Sequence, residues 1–390
     1  MQPTGVLETS KAKNPVKALL DYGQSMWLDY IRRDLITSGS LKKMIADDGL
    51  RGMTSNPSIF EKAIGESSLY DEMLKQLASR KDLDATGRYE QIAIRDIQDV
   101  ADILRPVYDS SKSRDGYVSL EVSPLLANKT NETIDEARRL WKAVNRENLM
   151  IKVPGTDAGL PAIRQLIGEG ININVTLLFA QEVYEQVAEA HIGGLEDLAK
   201  RGGNLHKIGG VASFFISRID SLVDSMINDK LKSATDSKQQ ELLKGLLGKV
   251  AIANGKLAYL RYQRLFSGPR WQALAAQGAQ TQRVLWASTS TKNPAYRDVM
   301  YVEELIGPDT VNTMPPATID AFRDHGKLRN SLTEDVAGAQ NVMDNLARTG
   351  ISIKDVTTKL TEDGVKVFAD AFHKLLAAVE KNTQPQGKTA

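Results

Sequence analysis

The chain has 390 residues, with 50 Lys and Arg against 49 Asp and Glu, a formal net charge of +1, no cysteine and four histidines. That balance supplies no field for gathering nucleic acid or an anionic membrane, so a small molecule is the expected partner. The missing cysteines exclude disulfides, thiolate metal sites and a cysteine nucleophile, and His191, His206, His325 and His373 are too scattered in sequence for HExxH-type metal spacing.

From the N-terminus, MQPTGVLETSKAKNP contains no apolar signal-peptide region, and no run in the chain approaches the ~18 apolar residues of a membrane span. A soluble, cytoplasmic protein is expected. Eight short apolar or β-branched runs then follow, at 25–31, 52–60, 117–122, 149–154, 172–179, 211–215, 283–289 and 310–316. Amphipathic stretches separate several of them. In 132–148, for example, Ile134, Ala137, Leu140, Trp141 and Val144 recur at helical spacing. Strands alternating with helices imply parallel strands joined by crossovers, and eight of them predict an α/β fold, a closed (β/α)8 TIM barrel. An open doubly wound sheet would bring a GxGxxG or a GxxxxGK[ST] fingerprint; neither occurs.

Two connections are too long for one barrel helix each. Residues 61–116 hold several helical segments with a break near 79–86; 217–282 hold a polar junction, NDKLKSATDSKQQE, followed by LLKGLLGKVAIANGKLAYLRYQRLF, which reads as one long helix. Both are expected to be helical insertions in a single barrel domain, 1–380, since no Ser/Gly/Pro-rich linker divides the chain. Further helices are predicted over 317–380 and a disordered tail over 381–390. The pairs Gly193-Gly194, Gly202-Gly203 and Gly209-Gly210 read as turns and a strand entrance. Trp27 and Trp286 read as barrel packing, and the Lys/Glu-rich 228–256 as a solvated face that leaves a homo-oligomer open.

Within the strands, polar residues stand late. Asp29 closes MWLD, Glu121 follows VSL, Lys152 follows LMI, and Asn174 and Thr176 alternate, so they face the same way. A lone charge in one strand usually has its head in water. Several, each on a different parallel strand and near its carboxyl end, converge on one cavity if the barrel closes. A lysine at its ordinary pKa of ~10.4 is a poor nucleophile at neutral pH, and an apolar barrel interior is where desolvation lowers that value. The neutral amine can attack a ketone or aldehyde, and the resulting imine is an electron sink for breaking or making the adjacent C–C bond. Asp29 and Glu121 are the carboxylates available for proton shuttling, one directly and one through water. Covalent carbonyl chemistry by an aldolase or transferase follows; a lysine base or a structural ion pair stays open.

At these residues the chain resembles the transaldolase family, in particular its longer-chain bacterial-type branch. SMWLDYI, GMTSNPSIF, VSLEVSP, MIKVPGT, GININVTLLF and VASFFISRID carry the resemblance from about residue 15 to 330. It implies a (β/α)8 barrel of the class I aldolase type with its Schiff-base lysine on the fourth strand, where Lys152 stands. It further implies that Asp29 is the acid/base for C–C cleavage and that Glu121 and Thr176 hold a catalytic water. Thr54, Asn56 and Asn174 would bind sugar hydroxyls, and Ser213 and Arg218 the substrate and its phosphate. One departure concerns strand seven: where many members place an arginine two residues after a serine, this chain reads ASTSTKNPAY, offering Ser288, Ser290 and Lys292. Lysine binds phosphate as a point charge and not as a bidentate fork.

The implied reaction is transfer of a dihydroxyacetone unit from sedoheptulose 7-phosphate to glyceraldehyde 3-phosphate, giving erythrose 4-phosphate and fructose 6-phosphate in the non-oxidative pentose phosphate pathway. Phosphorylated sugars are the partners, and no cofactor or metal is implied. A fructose 6-phosphate aldolase using the same lysine, or a barrel kept only for binding, are the alternatives.

Overall fold

The computed structural model describes residues 14–383. Eight parallel strands close in sequence order: β1 (Gln24–Asp29), β2 (Gly52–Thr54), β3 (Tyr117–Glu121), β4 (Leu149–Pro154), β5 (Ile173–Leu178), β6 (Gly210–Phe215), β7 (Arg283–Ala287) and β8 (Thr310–Met314). β8 returns to β1 through pairs such as Trp27 with Thr313, which completes the barrel. Each expected strand lies at its predicted place, and each is buried along its length save Asp29 at the end of β1. Trp27 and Trp286 are fully buried in that wall, as read from the sequence.

The second run is shorter than predicted. β2 stops at Thr54, and Pro57–Gly65 is a helix: the Asn56 side chain accepts from Ile59 N at 3.0 Å, and Pro57 starts the helix without needing a donor. The NPS triplet is thus a helix start within an apolar run.

The long connections hold helices Asp71–Ala78 and Ala85–Ser110 in one case, and Ser217–Ser233, Ser237–Leu246, Val250–Leu265 and Pro269–Ala275 in the other. The single helix expected over 242–266 is broken at 247–249. Gly248 adopts φ +68°, open to glycine, and its N–H goes to Asp224 Oδ1 at 3.1 Å instead of continuing a helical ladder. Gly193 and Gly194, expected in a turn, lie inside helix Gln181–Lys200. A Cβ on Gly194 would meet Arg164 O at 2.7 Å, so the pair lets this helix close on Gly159–Gly168. At the C-terminus the helix Ile353–Thr383 runs two residues past Lys381, where a disordered tail was expected to begin. The rest of that tail, 384–390, and the N-terminal 1–13 lie outside the described residues.

The two ends of the barrel differ. At the amino ends of the strands, Arg283 of β7 donates to Ser25 Oγ and Asp115 Oδ1, both at 2.8 Å, and the Arg283–Asp115 pair is almost completely buried. Trp27 Nε1 and Arg51 Nε also point at Asp115. This plug closes one end, and the strand-borne polar residues open on a cavity at the other, the mouth at the carboxyl ends. Across that mouth passes the C-terminal helix Ile353–Thr383, itself packed on helices Pro57–Gly65 and Ala85–Ser110 and on β5. Among the described residues no helix is long and apolar enough to cross a membrane.

Candidate active site

A cavity of about 220 Å³ opens at the carboxyl ends of the strands. Of the residues expected in a site, Asp29, Thr54, Asn56, Lys152, Thr176, Ser213, Arg218, Ser288, Ser290 and Lys292 all line it. β1, β2, β4, β5, β6 and the end of β7 therefore each deliver a polar side chain to one space, as parallel closure requires.

Lys152 is 4 % exposed. Its Nζ lies 3.0 Å from Glu121 Oε2, the residue opposite it in the β3–β4 register, and donates to the Ser55 carbonyl at 3.1 Å. The Glu121 contact is an ion pair lacking hydrogen-bond alignment, and neither carboxylate oxygen has another partner among the described residues. Burial raises the Glu121 carboxyl above its ordinary value; the Lys152 cation opposes that rise and the Asp29 charge adds to it. Glu121 does not line the 220 Å³ cavity. It borders a neighbouring, mostly apolar cavity of about 350 Å³ and meets the site at Lys152.

Asp29 lines the same cavity as the amine. Burial raises its carboxyl too, with Lys152, a hydrogen bond from Thr54 and Lys292 each lowering it. Thr54 Oγ1 donates to Asp29 Oδ1 at 2.7 Å and shares a 2.7 Å hydrogen bond with Thr313 Oγ1, so a Thr313–Thr54–Asp29 chain fixes the acid. The two acids thus sit in different surroundings, one paired with the amine and one held by hydroxyls, which is how a site separates two proton-transfer roles.

Thr176 Oγ1 is fully buried, lines the cavity and has no hydrogen-bond partner among the described residues. An orphan hydroxyl there calls for a bound water or substrate atom. It lies within a register shift of β5 between Val175 and Leu178, where Leu177 takes φ +60°, a strained conformation for a non-glycine residue. Asn174, expected at the sugar, is held lower down: it donates to Ser119 Oγ at 3.0 Å and accepts from Ser213 Oγ at 2.7 Å, so it orients Ser213 from behind and does not line the cavity. Asn56 lines it, but its carbonyl oxygen is spent on the helix cap; its amide N–H groups remain for a ligand.

Cations gather on the far rim. Arg218 lies at the start of helix Ser217–Ser233, where backbone N–H groups also favour an anion, and forms no hydrogen bond or ion pair among the described residues. Burial lowers its pKa. Lys292 donates to Ser290 Oγ at 2.7 Å, and its pKa is lowered by burial and then by the Arg218 charge. Two cations that repel each other and form no ion pair among the described residues suit a phosphate. The β7 end is held by Ser288, at φ +55°, whose carbonyl accepts from Ser217 N and whose hydroxyl bonds Ser217 Oγ, each at 3.0 Å.

Thr313, Ser58, Phe215 and Phe368 also line the cavity and were not foreseen. Thr313 could have been found, since it occupies a late position in the predicted eighth strand. Phe368 could not: it lies in the C-terminal helix, where an aromatic residue at helical spacing reads as core. Among the described residues no three His, Asp or Glu side chains converge as a metal site.

Residues 26–379 match the model of the family described as Transaldolase/Fructose-6-phosphate aldolase. The chain is 48 % identical over 375 residues to a protein of Trichodesmium erythraeum named Transaldolase, covering 95 % of this chain and 98 % of that one. It is also 48 % identical over 372 residues to Transaldolase 2 of a Nostoc species, covering 95 % and 97 %. Transaldolase 1 of Streptomyces coelicolor shares 44 % over 383 residues, covering 98 % of each chain.

Proposed function

The chain belongs to the transaldolase/fructose-6-phosphate aldolase family, and from that premise we propose that Lys152 is the Schiff-base nucleophile. The chain is an enzyme with transaldolase function, acting on phosphorylated sugars, and it transfers a dihydroxyacetone unit from a ketose phosphate donor to an aldose phosphate acceptor. The donor is sedoheptulose 7-phosphate and the acceptor glyceraldehyde 3-phosphate, with fructose 6-phosphate and erythrose 4-phosphate as products.

In this reading the ketose enters with its phosphate on Arg218, Lys292, Ser288 and Ser290, and its C2 carbonyl beside Lys152. Glu121, its pKa raised by burial, takes a proton from the Lys152 ammonium; the neutral amine adds to C2, and Glu121 gives that proton to the hydroxyl, which leaves as water. Asp29 takes the proton of the C4 hydroxyl as the C3–C4 bond breaks, the bonding electrons passing into the imine. The first aldose departs, the enamine waits on Lys152, and the acceptor aldehyde is attacked by the reverse steps. Water held between Glu121 and the Thr176 hydroxyl then frees the product. Thr54 and Ser213 position the sugar, with Asn56 donating to a hydroxyl and Asn174 holding Ser213. What carries the reading is the 3.0 Å approach of Glu121 to a lysine that is itself buried, with Asp29 in the same small cavity. A single barrel domain and a cytoplasmic location belong to the proposal; one apolar core runs through barrel and helices, and a chain without cysteine needs no oxidising compartment.

Borohydride trapping with fructose 6-phosphate, followed by mass mapping, is expected to label Lys152. An adduct on another lysine would overturn the assignment. In a coupled assay, release of glyceraldehyde 3-phosphate is expected to require erythrose 4-phosphate. Equal release without it would identify the aldolase reaction instead.

A further inference from the structure

The C-terminal helix Ile353–Thr383 does more than cover the barrel. Gly364 and Phe368 are four residues apart and so share one face of it. A Cβ on Gly364 would stand 2.8 Å from Leu177 Cδ2, so the glycine lets the helix rest on β5 where that strand turns through the positive φ of Leu177, directly after Thr176. One turn on, Phe368 is 5 % exposed, lines the catalytic cavity and presents its ring to Lys152, with Nζ 5.6 Å from the centroid. That distance is within cation–π range.

We infer that Phe368 is a catalytic residue, whose ring stabilises the positive charge of the protonated imine on Lys152. The inference rests on the Schiff-base reading of Lys152. An ammonium at this position can satisfy its charge with Ser55 O and Glu121 Oε2. When the amine has added to C2 and the hydroxyl has left as water with a proton from Glu121, the nitrogen carries one N–H and a full positive charge. It can then no longer donate to both partners. A ring face needs no hydrogen to stabilise a cation, and in a site shielded from water that attraction is at its strongest. The helix thus adds to the Glu121 carboxylate, left charged once its proton has gone, a second stabilising group for the nitrogen that needs no hydrogen from it.

The test replaces Phe368 in the full chain with mono-, di- and trifluorinated phenylalanines, which keep the ring's shape and its exclusion of water but progressively drain its negative face. The borohydride-trapped adduct on Lys152 is titrated against fructose 6-phosphate to give an apparent imine-formation constant, and thermal melting checks folding. The constant is expected to fall stepwise, by about three- to tenfold at the trifluoro ring, within the range of a shielded cation–π contact. Phe368→Leu is expected to lie at or below that value, whereas Phe372→Leu, one turn further along and outside the catalytic cavity, leaves the constant within twofold. A constant that stays flat across the series while Lys152 is still labelled would overturn the role of Phe368. Absence of label on Lys152 in the unsubstituted protein would instead overturn the Schiff-base reading on which it depends.

Discussion

Thr54 gives the sharpest test of how the acid Asp29 is tuned. Its hydroxyl donates to Asp29 Oδ1 at 2.7 Å, and that bond opposes the rise in pKa that burial imposes. Thr54→Val keeps the shape of the side chain and removes the donor. A hydrogen bond to a charged group is worth about 1.5–3 kcal/mol, and one pKa unit corresponds to about 1.36 kcal/mol, so the Asp29 carboxyl should rise by about one to two further units. In the proposed cleavage Asp29 has to be ionised to accept the C4 hydroxyl proton. The acid limb of kcat for conversion of fructose 6-phosphate and erythrose 4-phosphate should therefore move to higher pH by that amount. Thr54→Ser, which retains the hydroxyl, should restore the original limb. The variant also leaves the Thr313 hydroxyl without its 2.7 Å partner, so a loss of about 1–3 kcal/mol in stability should accompany the kinetic change and be visible in melting. An acid limb that stays in place in folded Thr54→Val, or that moves to lower pH, would refute the assignment of Asp29 as the base tuned by this hydroxyl.

Two further outcomes are expected. Arg218→Gln removes a cation that forms no hydrogen bond or ion pair among the described residues. The KM for fructose 6-phosphate should rise about 10–100-fold, while the rate with unphosphorylated fructose changes little, and equal losses on both substrates would place the phosphate elsewhere. Asp220, buried under Tyr301 and bonded to Ala251 N, is pushed up to about 7 by burial, with the Asp224 charge adding to it. The folded state keeps a proton that the unfolded state, near 3.8, gives up first. Stability should accordingly be greatest below about pH 4 as far as this group is concerned, and be lost as pH rises from there through about 7. Asp220→Asn cannot ionise, so the difference in melting temperature between pH 5 and pH 8 should shrink; an unchanged difference would show that Asp220 titrates at its ordinary value.

The strands carried most of the legible information. In a closed parallel barrel the carboxyl ends share one mouth, so a polar residue late in an apolar run is placed in the site by its position alone. That logic picked out Asp29, Lys152 and Thr176, which line one cavity, and Glu121, which meets Lys152 beside it, without any knowledge of distances. It failed where a side chain has two uses or where an element comes from outside the barrel. Asn174 has the spacing of a site residue, but its amide is consumed by Ser119 and Ser213. Asn56 has the identity of a sugar ligand, yet half of it caps a helix. Gly193-Gly194 has the composition of a turn but permits a helix contact, because glycine serves close approach as readily as a bend. Phe368 gave no signal, since nothing local distinguishes a ring that packs in a core from one that packs beside a buried amine.

Periodicity and residue type by themselves determined the eight strands, their parallel closure and a desolvated lysine among carboxylates, because each of these depends on patterns within a strand or on chain order. The tertiary structure alone decided which acid touches that lysine and which is held by hydroxyls, that Arg283 and Asp115 seal the opposite end, and that a distant helix brings an aromatic ring to Lys152 Nζ. Those are through-space relations between residues far apart in the chain, and they come into being only when the barrel closes and the last helix docks on it.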